Sequence, residues 1–196
     1  MRRALKCSFM ILLLCALGGA VCAAKKAPKM PPDPKFLAIA NTSVLPIVDA
    51  RAGTKAGVNL AGLQRNVVKL LDRQHYPASA GGSGGSAGQI AEEDLQGATA
   101  AFVKKLGPAD ARWVMVVCLD DVASKITFGS TGNAEVSGFL FDKESGELLW
   151  SGKGVGQAGQ GGLIGMGMKG MMKGEALDAA LANLIARLPK RPKPRK

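Results

Sequence analysis

The chain has 196 residues, with 26 Lys and Arg against 15 Asp and Glu, one His, four Cys and 47% hydrophobic residues. That length accommodates a single domain, the apolar fraction excludes wholesale disorder, and a lone His excludes a histidine-rich metal cluster. Cys7, Cys15 and Cys22 crowd the first 22 residues while Cys118 stands alone, so no zinc-binding spacing is available either.

Residues 1–24 read as a signal peptide. Arg2, Arg3 and Lys6 form a positive start, Phe9 to Leu17 an apolar core, and Gly18 to Ala24 a run rich in small residues. Cleavage is expected after Ala24, or after Ala23. Two alternatives stand beside it. The segment 7–24 is uncharged and could remain uncleaved as a membrane anchor. Cys22 could be lipidated, although Gly19 and Val21 occupy places where a lipoprotein signal prefers Leu and a small residue. Export is expected, to the periplasm or to the periplasmic face of the outer membrane, with anchoring in a membrane by the uncleaved segment as the alternative. Cleavage would leave Cys118 as the one remaining cysteine, inside an apolar run that suits a buried, inert thiol.

Residues 25–35 hold four Pro and four Lys and predict an extended spacer. Phe36 to Val48 reads as a first strand, Arg51 to Gly57 as a loop. Leu60, Leu63, Val67, Leu70 and Leu71 recur at helical spacing and predict a helix to about Arg73. A short strand fits 75–80, and the Gly/Ser run 81–88 is a loop without the Gly-Lys-Ser/Thr of a phosphate-binding one. A second helix is predicted from about Ile90 to Leu106, with acids in its first turns, lysines in its last and Gly107-Pro108 as its stop. Its expected buried stripe is Leu95, Ala98, Phe102 and Leu106.

Trp113 to Leu119 is continuously apolar, as a strand buried on both faces requires. Val122 to Phe128 follows as a strand and 129–133 as a turn. Ala134 to Phe141 and Glu147 to Lys153 then make a hairpin around 142–146. Residues 152–174 hold ten Gly and four Met and read as a flexible loop, or as an apolar element for a partner or membrane. The last helix is predicted over Glu175 to Leu188, ended by Pro189. Residues 189–196 form a basic, Pro-rich tail whose charges should stay solvated.

The expected fold is therefore α/β (α+β): one domain over 36–188, with a mixed sheet of about five strands and three helices in the order β-α-(β)-α-β-β-β-α. Thirteen basic residues lie in 1–35 and 187–196, leaving thirteen basic against fourteen acidic residues between them. The basicity thus belongs to the ends, which argues against nucleic-acid binding but permits weak electrostatic association with a membrane.

Candidate chemistry is sparse. Asp120 and Asp121 end an apolar strand, and Asp49 ends another, so these three are the ligand or acid–base candidates. His75 has no Ser/Asp signature near it, and no catalytic residue, metal or cofactor is implied. Gly165-Met-Gly-Met-Lys-Gly170 fits the dinucleotide fingerprint by letter, but follows a predicted loop, and no later strand exists to carry the acid.

The ending Val44-Leu-Pro-Ile-Val-Asp49 resembles that of the first strand in the amino-terminal domain of TolB and in the curli-secretion lipoprotein group. The stretch Ala134 to Trp150, with its Asp-x-x-x-Gly turn and Leu-Trp strand, resembles their hairpin, and Gly161-Gly-Leu-Ile-Gly165 their Gly-rich stretch before the last helix. The resemblance implies a TolB-like fold and a non-enzymatic accessory or interaction module of the bacterial envelope with a protein partner. No long alternating pore-forming hairpin is recognised, so no channel role is implied. The alternative is a small-ligand or nucleotide-binding enzyme using the strand-end acids and the Gly-rich loop.

Overall fold

The computed structural model describes residues 33–52, 57–82, 92–127, 129–161 and 169–192. The signal peptide, Cys22, most of the 25–35 spacer, most of the 81–88 loop, Gly162–Met168 and the end of the tail lie outside these residues. The fold is a mixed α/β arrangement around one six-stranded sheet. Among the described residues its elements are α1 (Pro34–Leu37), β1 (Thr42–Val44), β2 (Val48–Asp49), α2 (Leu60–Arg73), β3 (Ala78–Ala80), α3 (Glu92–Gln96), α4 (Ala100–Val103), β4 (Trp113–Thr127), β5 (Gly129–Asp142), β6 (Glu147–Gly161) and α5 (Lys169–Ile185).

The strand order is β3-β1-β4-β5-β6, with β2 also paired to β4. β1 lies parallel to β3 and β4, and β2 is parallel to β4 further along it. β4, β5 and β6 are antiparallel neighbours. The predicted strand over 36–48 is thus corrected to a helical turn and two short strands. Asp33 caps α1 through its side chain, accepting from the Lys35 N–H at 2.9 Å. Pro46 explains the gap between β1 and β2, because it has no N–H for the ladder. The backbone resumes pairing on either side of it, with Leu45 N–H donating to Met115 C=O and Ala50 N–H to Leu119 C=O.

α2 forms where predicted. Asn59 caps it by accepting from the Gly62 N–H at 3.0 Å, and Leu63, Val67 and Leu71 repeat every fourth residue to make its buried stripe. The helix predicted over 90–106 is instead α3 and α4. Thr99 takes the N-cap of a new helix, its hydroxyl accepting from the Phe102 N–H, and Gly97 weakens continuation before it. Leu95, Val103 and Leu106 are buried there, with Ala98 and Phe102 partly so.

β4 separates two cores. Met115, Val117 and Leu119 face α2 and α5, while Val114, Val116 and Cys118 join Phe139, Phe141 and the α3–α4 side chains. That is the two-sided burial expected of its apolar run.

Three further expectations are corrected beyond this point. Val122 onward is not a separate strand, and 129–133 is not a turn: β4 and β5 pair continuously out to Thr127 and Gly129, so the hairpin is long. Residues 152–161 are not loop but the second half of β6. The last helix begins at Lys169 and ends at Ile185, earlier at both ends than predicted. Glycine explains the missed strand. A Cβ on Gly154 would lie 2.2 Å from the Ala180 carbonyl oxygen, and one on Gly156 1.9 Å from that of Ala176. The residues that look like a flexible run are the ones that let α5 lie backbone-against-backbone on the sheet.

The tail is corrected as well. Arg191 donates to the carbonyls of Ile39 (2.8 Å) and Leu37 (3.1 Å) and lies over the Tyr76 ring. The Tyr76 hydroxyl donates to Pro189 C=O at 2.6 Å. No helix among the described residues is long and apolar enough to cross a membrane.

Candidate functional site

The three predicted acids lie around one irregularity of the sheet, and Asp120 and Asp121, predicted at a strand end, stand inside β4 because its pairing with β5 runs on to Thr127. In the β4–β5 ladder Leu119 pairs with Val136 but Asp121 pairs with Glu135, so Asp120 is the extra residue of a β-bulge. In a regular strand Asp120 and Asp121 would point to opposite faces. The bulge turns both toward one side: Asp120 accepts from the Ser137 hydroxyl at 2.6 Å, and Asp121 stands in register with Glu135, two residues from Ser137 on the same face.

β2 runs alongside and delivers Asp49 to the same region, through pairing of Val48 with Cys118 and Asp49 with Leu119. Arg51 completes the cluster. Its Nε and Nη2 each donate to a different oxygen of Asp49 at 2.8 Å, and both side chains are almost wholly buried. The bond to Asp49 raises the Arg51 pKa first, burial opposes it, and the charges of Asp49 and Asp121 reinforce it. Arg51 is therefore a fixed cation between carboxylates.

Arg51 lies just past β2 in the loop that the sequence predicts, but its pairing is not predicted. The missed signal was the Asp49-x-Arg51 spacing at a strand end, which suits a bidentate pair. Both Asp49 oxygens lie on the guanidinium two residues on, and the Ser137 hydroxyl on one Asp120 oxygen ties β5 to β4 at the bulge. Among the described residues no three His, Cys, Asp or Glu side chains converge as a metal site. His75 takes the left-handed position after α2 (φ 65°), where it serves the turn.

Beyond the bulge, β4, β5 and β6 continue as a three-stranded arm. Its helix side lies under α5. On its other side Asp121, Ala123, Lys125, Asn133, Val155 and Gln157 are exposed. Among the described residues no strand pairs with the outer edge of β6 or with β4 past Leu119. Asn183 of α5 blunts the β6 edge at one point by donating to Val155 C=O at 2.8 Å. The Gly165–Gly170 fingerprint now stands closer to a strand than its sequence implied, because β6 reaches Gly161 and α5 starts at Lys169. Its first four residues lie outside the described ones, and no strand follows α5 among those described.

No protein-family model matches the sequence, and a search of curated proteins finds no match. Among solved structures the chain is similar to lipoprotein GNA1162 of Neisseria meningitidis, at 14% identity over 65% of this chain and 90% of that one (TM-score 0.44). It is similar to a hypothetical protein of Chlamydia trachomatis, at 10% identity over 76% and 94% (TM-score 0.49). It is also similar to PelC of Paraburkholderia phytofirmans, a dodecamer, at 14% identity over 78% and 89% (TM-score 0.46).

Proposed function

We propose that the chain is an exported bacterial envelope protein acting as a non-enzymatic accessory or interaction module, in the periplasm or at a membrane. The observation that carries the interaction role is the arm, whose outer face is exposed and whose two strand edges pair with no strand among the described residues, while its inner face is held by α5. An unguarded strand edge is a ready template for another chain, and a partner protein would add to it. Export rests on the charged, apolar and small-residue order of 1–24. Kinship with the TolB and curli-secretion group rests on the motifs at 44–49 and 134–150.

Two measurements test this. N-terminal sequencing of protein from the native host should find a start at Lys25 or Ala24; a lipid-blocked Cys22 would make it a lipoprotein, and a start at Met1 would overturn cleavage. A photo-crosslinking residue at Val155 should yield a discrete adduct in envelope fractions, and its absence there would overturn the interaction role. A saturable thermal shift with a nucleotide or divalent cation would favour the enzyme instead.

A further inference from the structure

The near-zero charge of residues 36–186 conceals a concentration of cations on one of the two layers that flank the sheet. On the α2–α5 side, Arg65, Lys69 and Arg73 stand four residues apart, which sets all three on one exposed face of α2. Lys173 of α5 shares with Arg65 and Lys69 an open groove of about 420 Å³ between the two helices. Arg187 and Lys190 continue the positive charge past the end of α5, both exposed. None of these six cations makes an ion pair among the described residues.

The acids on this side are Asp72, Glu175 and Asp178. Two of them are engaged with neutral donors: Asp72 accepts from the Ala78 N–H at 3.2 Å and Asp178 from Asn66 at 2.9 Å. On the other side of the sheet the exposed charges are mixed, with Glu93 and Asp94 on α3 and Lys104 and Lys105 just after α4. The sequence-based expectation that basicity belongs only to the chain ends therefore misses a basic face that the fold assembles from residues far apart in sequence.

We propose that the α2–α5 face docks on an anionic lipid surface, with headgroups among Arg65, Lys69 and Lys173. This rests on the envelope reading above. Two features favour a lipid sheet over a discrete ligand. The cations are spread along a helix face, with Arg65 to Arg73 covering about 12 Å, rather than aimed into one point. Met171, 46% exposed, stands on α5 beside the groove residue Gly170 and offers an apolar foothold next to the charges. A charged surface within about a Debye length of the exposed face of α2 can act on Arg65, Lys69 and Arg73 together.

The test uses the product of the full gene, as the expressing cell delivers it, and co-sedimentation with vesicles of phosphatidylcholine alone or mixed with phosphatidylglycerol. Binding should require the anionic lipid and weaken from low to physiological salt. Each cation near such a surface contributes about fivefold, so the triple variant Arg65→Gln, Lys69→Gln, Lys173→Gln should lose about a hundredfold. The charge-preserving triple Arg65→Lys, Lys69→Arg, Lys173→Arg should retain binding, which separates charge from folding. Equal binding to neutral vesicles, or an unchanged glutamine variant, overturns the proposal. So does a duplex DNA competitor that displaces the protein at lower phosphate concentration than the vesicles supply, since the face would then be a nucleic-acid surface. Cell fractionation is read separately: recovery from the cytosol overturns the envelope reading on which the lipid assignment rests, whereas failure on vesicles leaves that reading standing.

Discussion

The two halves of the long strand β4 are held by different physics. Up to Leu119 the strand has short parallel partners on one side, β5 on the other, and helices over both faces. Large apolar side chains fill the space. Past the bulge at Asp120 the same strand keeps one helix and no partner on its outer edge among the described residues. There the helix is admitted by the absence of side chains, at Gly132, Gly154 and Gly156. The first half is stabilised by apolar area removed from water, the second by close approach of backbones, which leaves little apolar area to bury. A region of the second kind should open more easily than the first.

The strongest way to test this contrast is to remove bulk from the first half. Phe141 is fully buried in the second core cluster and lies beside Phe139, with centroids 6.4 Å apart. Phe141→Ala should cost about 3–5 kcal/mol, read as a lower denaturant midpoint. Adding bulk to the second half should cost less but act locally. Gly156→Val places carbon against the Ala176 carbonyl, so the first turns of α5 must lift, at about 1–3 kcal/mol. Amide exchange should then quicken in 129–136, 154–161 and 169–180 while 114–119 stays protected. Equal acceleration of 114–119 would show that the halves open as one unit.

A smaller effect concerns the closure at Tyr76. Burial pushes its phenol up to about 12, and the Arg191 charge opposes that rise. The folded form thus holds the proton more tightly than the unfolded chain, whose phenol ionises near 10. The stabilisation is complete below pH 10 and is lost as pH climbs from 10 toward 12. Tyr76 is the sole tyrosine, so phenolate absorbance reports it directly and should titrate near 12 folded and near 10 in denaturant. Tyr76→Phe should cost about 1 kcal/mol at neutral pH. The smallest effect belongs to the Lys35–Glu147 pair, whose side chains are 62% and 57% exposed. Lys35→Ala should change stability by less than about 0.5 kcal/mol.

How much of this was legible in the sequence follows the same division. Where side chains do the work, periodicity reveals the element: the stripe of α2 and the apolar run of β4 are found where predicted. Where glycine does the work, nothing is periodic, and residues 152–161 read as loop although they form half of β6. The sequence places the acids at 49, 120 and 121 at strand ends, which holds for Asp49 alone; Asp120 and Asp121 lie inside β4, and the approach of the three depends on a bulge and on parallel pairing across some seventy residues of chain. The role of Arg51 and the basic face could not be read for the same reason. Each needs the spatial neighbours that only the fold supplies.

The contacts of Arg191 and Tyr76 have a temporal consequence. Arg191 secures the carbonyls of residues 37 and 39, and Tyr76 reaches Pro189, so one of the first described stretches is fastened by one of the last. Contacts of such long sequence separation form late, after local helices and hairpins. A polypeptide still emerging from a ribosome, or threading through a narrow conduit, lacks the residue that shuts its own beginning. The domain closes only once residues 189–191 have been delivered.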